Sequence, residues 1–284
     1  MSQVNSNLDY LSVFNKNNVV VNSADRTANS KSTTDFQVSY QANSFALQKV
    51  KKLSVSSFSC NNLFKNVATY NNTLGLIFID ITGPTQYDYL VTVPPLYYNA
   101  TQLAAYIQAD VVANVPQVPA FTCIFNTTTY KFEMSPNDPN FFMNFDNLIV
   151  NRGFRNTFEG TLLYNLGYNF NTPTAANQIA GSLPNLNIQT IYIYSVRLAP
   201  NKSWRGDGNN NALPSNLLIT IPLSTTTYGG TVNWISTGLN ERGILVYPRE
   251  EQLSTIDFKL CNEYGNVLEG ELNSNCAIEF FVYF

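Results

Sequence analysis

Apolar and polar residues alternate with a period of two along most of this chain, which is the pattern of half-buried β-strands. The clearest alternation covers 36–40 and 255–260. The run 277–284 is almost continuously aromatic and β-branched. Because so apolar a run would be an aggregation-prone edge if exposed, it is predicted to be a strand held within a sheet. Further strand patterns fall at 19–21, 49–58, 188–196, 217–223, 232–235 and 244–247.

One helix is predicted in the middle of the chain. Asn99 and Gln102 have the spacing of a capping box, in which each side chain accepts a hydrogen bond from the backbone of the other residue. The helix is predicted to end before Pro116. Its apolar face comprises Leu103, Ala104, Ile107 and Val111.

A β-hairpin is predicted on each side of this helix. The first joins 74–79 to 87–93 through the turn dipeptide Gly83-Pro84. The second joins 121–125 to 130–134 through a polar turn. The helix is expected to pack over the two hairpins, with its apolar face toward Phe121, Ile124 or Phe132. Apolar segments at 141–145 and 162–168 complete this part of the chain.

Strands outnumber helices and no strand–helix–strand alternation occurs, so the fold class is predicted to be all-β, a sandwich with Greek-key-like connections. Residues 1–17 are Asn-rich and weakly patterned, which indicates an N-terminal arm outside the core. The stretch 200–214 is predicted to be a long polar loop, and Gly229-Gly230 a tight turn.

The composition favours a protein that packs against other protein. Charged residues make up only 12% of the 284 residues, about half of the roughly 25% usual in soluble domains, and the net charge is −3. Specific nucleic-acid binding is not expected, because it requires clustered Lys and Arg. Low charge suits surfaces that are buried against neighbours. An AT-rich codon bias is the alternative explanation for the excess of Asn.

The residue types that usually perform catalysis or bind metals are scarce. The chain has no histidine, and its four cysteines, Cys60, Cys123, Cys261 and Cys276, form no CxxC pair. We therefore predict no enzyme activity, no cofactor and no metal. No signal peptide and no apolar run near 18 residues are evident, so secretion and membrane insertion are not expected and the thiols are predicted to be reduced.

Candidate functional residues are few, and each has a simpler explanation. Arg205, Gly206 and Asp207 form an adhesion-type tripeptide that could contact a receptor, although Gly and Asn are common in this segment and the match could arise by chance. Asp257 and Glu279 could form a glycosidase pair, but both alternate with apolar residues and are predicted to point outward. Glu250-Glu251 is predicted to lie solvated in a loop. Tyr97-Tyr98, Trp204 and Trp234 could stack on sugars, or simply serve the core. The four Asn-x-Ser/Thr sequons are expected from composition.

Four stretches carry a resemblance to a known family: 30–38, 50–64, 93–107 with its continuation to 168, and 253–266. They resemble the penton, or vertex, capsid proteins of virophages and their relatives, in the jelly-roll capsid lineage that also includes adenovirus-like and nucleocytoplasmic large DNA viruses. The family's Gly-x-Tyr before the helix is here Leu96-Tyr97-Tyr98, a mild departure.

This resemblance implies a single jelly-roll β-sandwich with an inserted α+β lobe. The jelly-roll strands would come from 18–65 and 183–284, and the lobe from 66–182. It further implies a structural virion protein, made in the host cytoplasm, whose homopentamer closes the five-fold vertices of an icosahedral shell. Its partners would be the major capsid protein and a host surface receptor or fibre. Two alternatives remain open: another minor or cement jelly-roll capsid protein, and a carbohydrate-binding β-sandwich module.

Overall fold

The computed structural model describes residues 16–40, 47–83, 85–145, 161–169, 172–198, 203–206, 212–223, 226–236, 242–271 and 274–284. The chain forms two compact units. Unit 1 comprises Met1–Leu63, Gln189–Asn262 and Gly270–Phe284, and unit 2 comprises Phe64–Ile188 and Glu263–Glu269.

Within the described residues, most elements are strands, and two α-helices interrupt them in the middle of the chain. Up to the first helix they are β1 (Lys16–Asn22), a 3-10 turn (Ser23–Asp25), β2 (Asp35–Ser39), β3 (Val50–Asn61), β4 (Thr73–Asp80) and β5 (Gln86–Thr92). Then follow α1 (Ala100–Asn114), β6 (Thr122–Asn126), β7 (Lys131–Ser135), β8 (Phe141–Phe145), α2 (Leu162–Asn165), β9 (Gln178–Ile179) and β10 (Thr190–Tyr194). The remaining strands are β11 (Ser203–Gly206), β12 (Ala212–Ser215), β13 (Leu217–Pro222), β14 (Thr231–Ile235), β15 (Arg242–Glu251), β16 (Thr255–Cys261) and β17 (Cys276–Tyr283).

Unit 1 is a single jelly roll. Its first sheet has the order β1-β17-β3, and β14 and β15 both pair with the other edge of β3, so together they occupy one strand position. Its second sheet has the order β13-β10-β16-β2. All pairings are antiparallel. We number the eight strand positions of unit 1 along the chain, leaving out the β11–β12 ribbon, as β1, β2, β3, β10, β13, β14 with β15, β16 and β17. The two sheets then have the orders 1-8-3-6 and 2-7-4-5, which is jelly-roll topology.

Stacked aromatic rings join the two sheets of unit 1. Phe258 of β16 stacks on Phe280 of β17, with ring centroids 5.7 Å apart and 13° between the planes. Within its own sheet Phe258 also contacts Phe36, at 5.6 Å. All three rings are buried. The predicted role of the apolar run 277–284 is confirmed, because β17 pairs with β1 on one side and β3 on the other.

Unit 2 has its own core. Two three-stranded sheets, β5-β4-β8 and β6-β7-β9, enclose this core together with α1 and α2. The predicted capping box is confirmed: Asn99 accepts from the Gln102 backbone N–H at 2.8 Å and donates its own N–H to Oε1 of Gln102 at 3.0 Å. The predicted apolar face of α1 is fully buried. Of the three residues expected to face this helix, Phe121 and Phe132 share its core, whereas Ile124 is 48% exposed. In β6 the inward position belongs to Cys123.

Several local predictions differ from the structure. The predicted loop 200–214 contains the paired strands β11 and β12, which lack the apolar alternation that would have identified them. Residues 16 and 17, assigned to the arm, lie in β1, and 1–15 lie outside the described residues. Residues 263–269, predicted to accompany the jelly-roll strands, cluster with unit 2. An independently folding lobe at 66–182 stays a prediction.

Candidate assembly surface

One row of side chains crosses the outer face of the first sheet of unit 1. Val20 of β1 lies opposite Glu279 of β17, Glu279 opposite Ser57 of β3, and Ser57 opposite Ile235 of β14. The buried residues Val21, Phe58 and Ile278 on the same strands occupy the inner face, so this row faces away from the core. We call these four residues the cross-sheet row.

The middle of the cross-sheet row is polar and held in place. Ser57 Oγ donates to Oε2 of Glu279 at 3.0 Å, and Asn18 Nδ2 donates to Oε1 of the same carboxylate at 3.2 Å. Both oxygens of Glu279 are thus engaged by neighbouring strands. A carboxylate fixed in this way by neutral donors on a sheet face stabilises the sheet.

Both ends of the cross-sheet row are apolar and exposed. Val20 is 58% exposed and Ile235 is 69% exposed. Val246 of β15, on the same edge of the sheet as Ile235, is 61% exposed. Side chains alternate between the two faces of a strand, and Val232 of β14 points inward, so Ile235, three residues later, points outward. Polar residues are expected at outward positions. An apolar residue at an outward position of this strand was the sequence signal that could have identified Ile235, and the sequence analysis missed it.

The edge strand β1 is partly covered by a tyrosine. Tyr40 Oη donates a hydrogen bond to the carbonyl oxygen of Val20 at 3.4 Å. Burial, together with the nearby charge of Asp25, raises the pKa of Tyr40 to about 12, so the hydroxyl remains a donor at neutral pH. Among the described residues β1 has a strand partner on one side only, so its other edge presents backbone groups without a strand partner, of which the carbonyl of Val20 accepts from Tyr40.

The candidate carboxylates do not meet. Asp257 lies in β16 and Glu279 in β17, and each alternates with buried residues, so they occupy the outer faces of different sheets, as predicted. Asp257 is not simply solvated, because it accepts hydrogen bonds from the turn at 195–197. Glu250 and Glu251 are exposed but lie in β15 and not in a loop, and Glu250 forms an ion pair with Lys51 at 3.3 Å.

Two residues of the adhesion-type tripeptide lie in a two-stranded ribbon. Arg205 and Gly206 belong to β11 and pair with Leu213 and Ala212 of β12, while Asp207 lies outside the described residues. A role in receptor contact stays a prediction.

The candidate sugar-stacking aromatics lie in different parts of the chain: Trp204 belongs to β11 and Trp234 to β14, while Tyr97 and Tyr98 precede α1. Trp234 lies opposite the inward-facing Phe58 and is partly buried. The ring of Tyr98 contacts the ring of Tyr106, with 6.3 Å between their centroids, and Tyr98 Oη donates a hydrogen bond to the carbonyl oxygen of Pro94 at 3.1 Å. These rings are engaged within their own units, so stacking on a ligand would compete with existing contacts.

All four cysteines are buried and free. Burial raises the pKa of Cys261 to about 12, with the nearby carboxylate of Asp35 adding to the shift against the opposing effect of Lys259. Within the described ranges no group of three or more His, Cys, Asp or Glu side chains is placed to hold a metal ion. Over the same ranges, no helix is both long and apolar enough to cross a membrane.

No family model and no curated protein matches this chain. Two solved structures are similar to it over most of its length. One is the mavirus penton protein, at 11% sequence identity and a TM-score of 0.49, covering 95% of this chain and 99% of the other. The second is from the cryo-EM structure of the Sputnik virophage, at 13% identity and a TM-score of 0.46, covering 95% and 97%.

Proposed function

We propose that this chain is a structural protein of a viral capsid and that five copies form a penton at each vertex of an icosahedral shell. The cross-sheet row carries the proposal: one jelly-roll sheet exposes apolar side chains at both of its opposite edges. The jelly-roll topology of unit 1, the charge-poor composition and the sequence resemblance to penton proteins agree with it.

A ring needs two different surfaces that fit each other, because each subunit contacts its neighbours through a heterologous interface. Val20 and Ile235 lie three strand spacings apart, about 14 Å at the usual 4.8 Å per spacing. In the proposed ring the Val20 edge of one copy contacts the edge of the next copy that carries Ile235 and Val246. Burying these exposed side chains removes apolar area from water and contributes to association.

The remaining parts of the proposal concern partners and location. The protein would be made in the host cytoplasm and would reside in the virion, without enzyme activity. Residues 1–15, the part of the expected arm that precedes β1, would reach a neighbouring subunit or the major capsid protein. The inserted unit would face outward toward a host receptor or fibre, and Arg205, Gly206 and Asp207 stay candidates for a receptor contact.

Charge substitutions at the two edges test the ring directly. Purified wild-type protein is expected to reach five times the 31.8 kDa mass of one chain in light scattering at high concentration. Ile235→Asp and Val20→Lys should each prevent this, because a charge at an apolar contact loses hydration without a partner. The double variant Val20→Lys/Ile235→Asp should recover assembly, since each interface then pairs opposite charges. Ile124→Asp, on an exposed residue of unit 2, is the matched control and should assemble normally.

Two outcomes contradict the proposal. Single variants that assemble like the wild type would show that these edges are not the interface. A wild-type monomer that binds immobilised glycans would favour the carbohydrate-binding alternative. Locating the chain in a reconstructed particle, at five-fold vertices or between capsomers, separates a penton from a cement protein.

A further inference from the structure

Two of the buried cysteines lie directly opposite each other on neighbouring strands. Cys60 of β3 and Cys276 of β17 are register partners, 4% and 1% exposed, and both are free thiols. The other two have different neighbours: Cys123 lies opposite Met134, and Cys261 lies opposite Tyr192. Only the first pair therefore has the register that a cross-strand disulfide requires among the strand pairs the structure describes.

The backbone hydrogen bond of Cys276 defines the type of this pair. Its N–H donates to Oγ of Ser23 at 2.9 Å, on the side of β17 that faces away from β3. In an antiparallel ladder the N–H and C=O of one residue point to the same side, so Cys60 and Cys276 form a non-hydrogen-bonded pair. Such pairs have Cα atoms about 4.5 Å apart, with their side chains close together, and disulfides span roughly 4.4–6.8 Å between Cα atoms.

The closed sheet protects both thiols. A hydrogen bond with Cys60 and burial hold the pKa of Cys276 well above its ordinary value, so its reactive thiolate is scarce at neutral pH. Cys276 Sγ also lies 3.6 Å from the carbonyl oxygen of Ser274, which can accept from the thiol. Oxidation is therefore expected while β17 is transiently open or before it has docked, and not in the closed sheet.

We propose that Cys60 and Cys276 form a redox modification site whose disulfide ties β17 to β3 under oxidising conditions. A thiolate of one cysteine attacks a disulfide oxidant such as oxidised glutathione and releases one reduced glutathione. The second thiolate then attacks the mixed disulfide, forms the Sγ–Sγ bond and releases the second glutathione. Two protons and two electrons leave the cysteine pair, and one molecule of oxidant is reduced.

The disulfide would act as a lock in the first sheet, because it would hold β17 covalently against β3. It closes a loop of about 200 residues, which strongly restricts the unfolded chain. Its use would be to stabilise subunits once particles leave the reducing cytosol, a role that rests on the proposed capsid function. The chemistry itself depends only on the register of β3 and β17.

The test uses the full chain, oxidised with oxidised glutathione at pH 8 in mild urea that permits local opening. Peptide mapping without reductant is expected to recover a linked pair containing Cys60 and Cys276. The melting temperature should rise by about 5–10 °C and return on reduction. Cys60→Ser and Cys276→Ser should each abolish the linked peptide and the shift, whereas Cys123→Ser and Cys261→Ser should leave both.

Free Cys60 and Cys276 thiols after this treatment, or their linkage to other cysteines, would overturn the proposal. So would a linked peptide with no change in melting temperature, because the bond would then not act as a lock. The wild-type mapping needs no variant to fold. Peptide mapping works on the purified chain whether or not it forms a ring. A failure of the ring experiment can therefore be told apart from a failure of the oxidation experiment.

Discussion

Ser195 donates a hydrogen bond of 3.1 Å from Oγ to Oδ1 of Asp257, so a carboxylate on the outer face of β16 closes the turn that follows β10. The backbone N–H groups of Val196 and Arg197 donate to the same carboxylate at 3.1 and 2.9 Å. Ser195 Oγ in turn accepts from the N–H of Leu198 at 3.0 Å. Asp257 is therefore a structural residue that fixes the turn against the neighbouring strand.

We expect Asp257→Ala to lower the free energy of unfolding by about 1.5–3 kcal/mol, because several charge-assisted hydrogen bonds are lost at a partly exposed site. Asp257→Asn retains one acceptor oxygen and should lose about half as much. Urea denaturation followed by far-UV circular dichroism measures both. An alanine variant as stable as the wild type would mean that the turn holds without this carboxylate.

Gly167 and Gly229 have similar backbone conformations, so the same substitution at the two positions separates the cost of positive φ from the cost of a steric collision. Both have positive φ, 93° and 82°, but a Cβ at Gly167 would collide with the Ser182 carbonyl, whereas a Cβ at Gly229 has nothing within 4 Å. We expect Gly229→Ala to lower the free energy of unfolding by about 1–2 kcal/mol, the usual penalty of this conformation. Gly167→Ala should lower it by more, since backbone must also move. Equal losses in thermal denaturation would contradict the role of the collision.

Ile107→Ala should lower the free energy of unfolding by about 2–5 kcal/mol, because Ile107 is fully buried between α1 and the core of unit 2. Hydrogen exchange followed by mass spectrometry should show faster exchange in unit 2 and unchanged exchange in unit 1. Val112→Ala is the control on the same helix. Val112 is 40% exposed, so this change should stay within about 0.5 kcal/mol of the wild type. Faster exchange throughout unit 1 would show that the two units do not unfold separately.

Glu263 gives a pH-dependent prediction. Burial raises the pKa of its carboxyl group above the ordinary value, and its Oε2 atom has no hydrogen-bond partner among the described residues. Below the unfolded-state pKa of about 4.3 both states are protonated and no penalty exists. As pH rises above this value the unfolded chain ionises first, so the native state loses stability until the folded pKa is passed.

Glu263→Gln should therefore be more stable than the wild type at pH 7 and equal to it below about pH 4. Urea denaturation of both proteins across this range measures the difference. A constant difference at all pH values would assign the effect to packing and not to ionisation.

Much of this fold could be predicted because its strands alternate clearly, as at Phe36 and Val38, and because Asn99 and Gln102 carry the spacing of a capping box. The ribbon of β11 and β12 could not, since each strand has only four residues and their sequences show no apolar alternation. The exposure of Val20 was equally hidden, whereas Ile235 stands at an outward position of β14 that the alternation could have identified. Val20 lies in a continuous valine run, so its exposure follows from strand order, which local sequence does not encode. The register of Cys60 with Cys276, 216 positions apart in sequence, depends on that same order.

The place of β17 in the first sheet has a consequence for synthesis on the ribosome. This strand follows every other strand in sequence, yet it lies between β1 and β3, which are made among the first. The first sheet cannot be completed until β17 is available: β3 can pair earlier with β14 and β15, but β1 has to wait for β17. A polypeptide released before β17 is made would expose the edges of β1 and β3 that this strand covers, and unpaired edges of this kind favour aggregation over assembly.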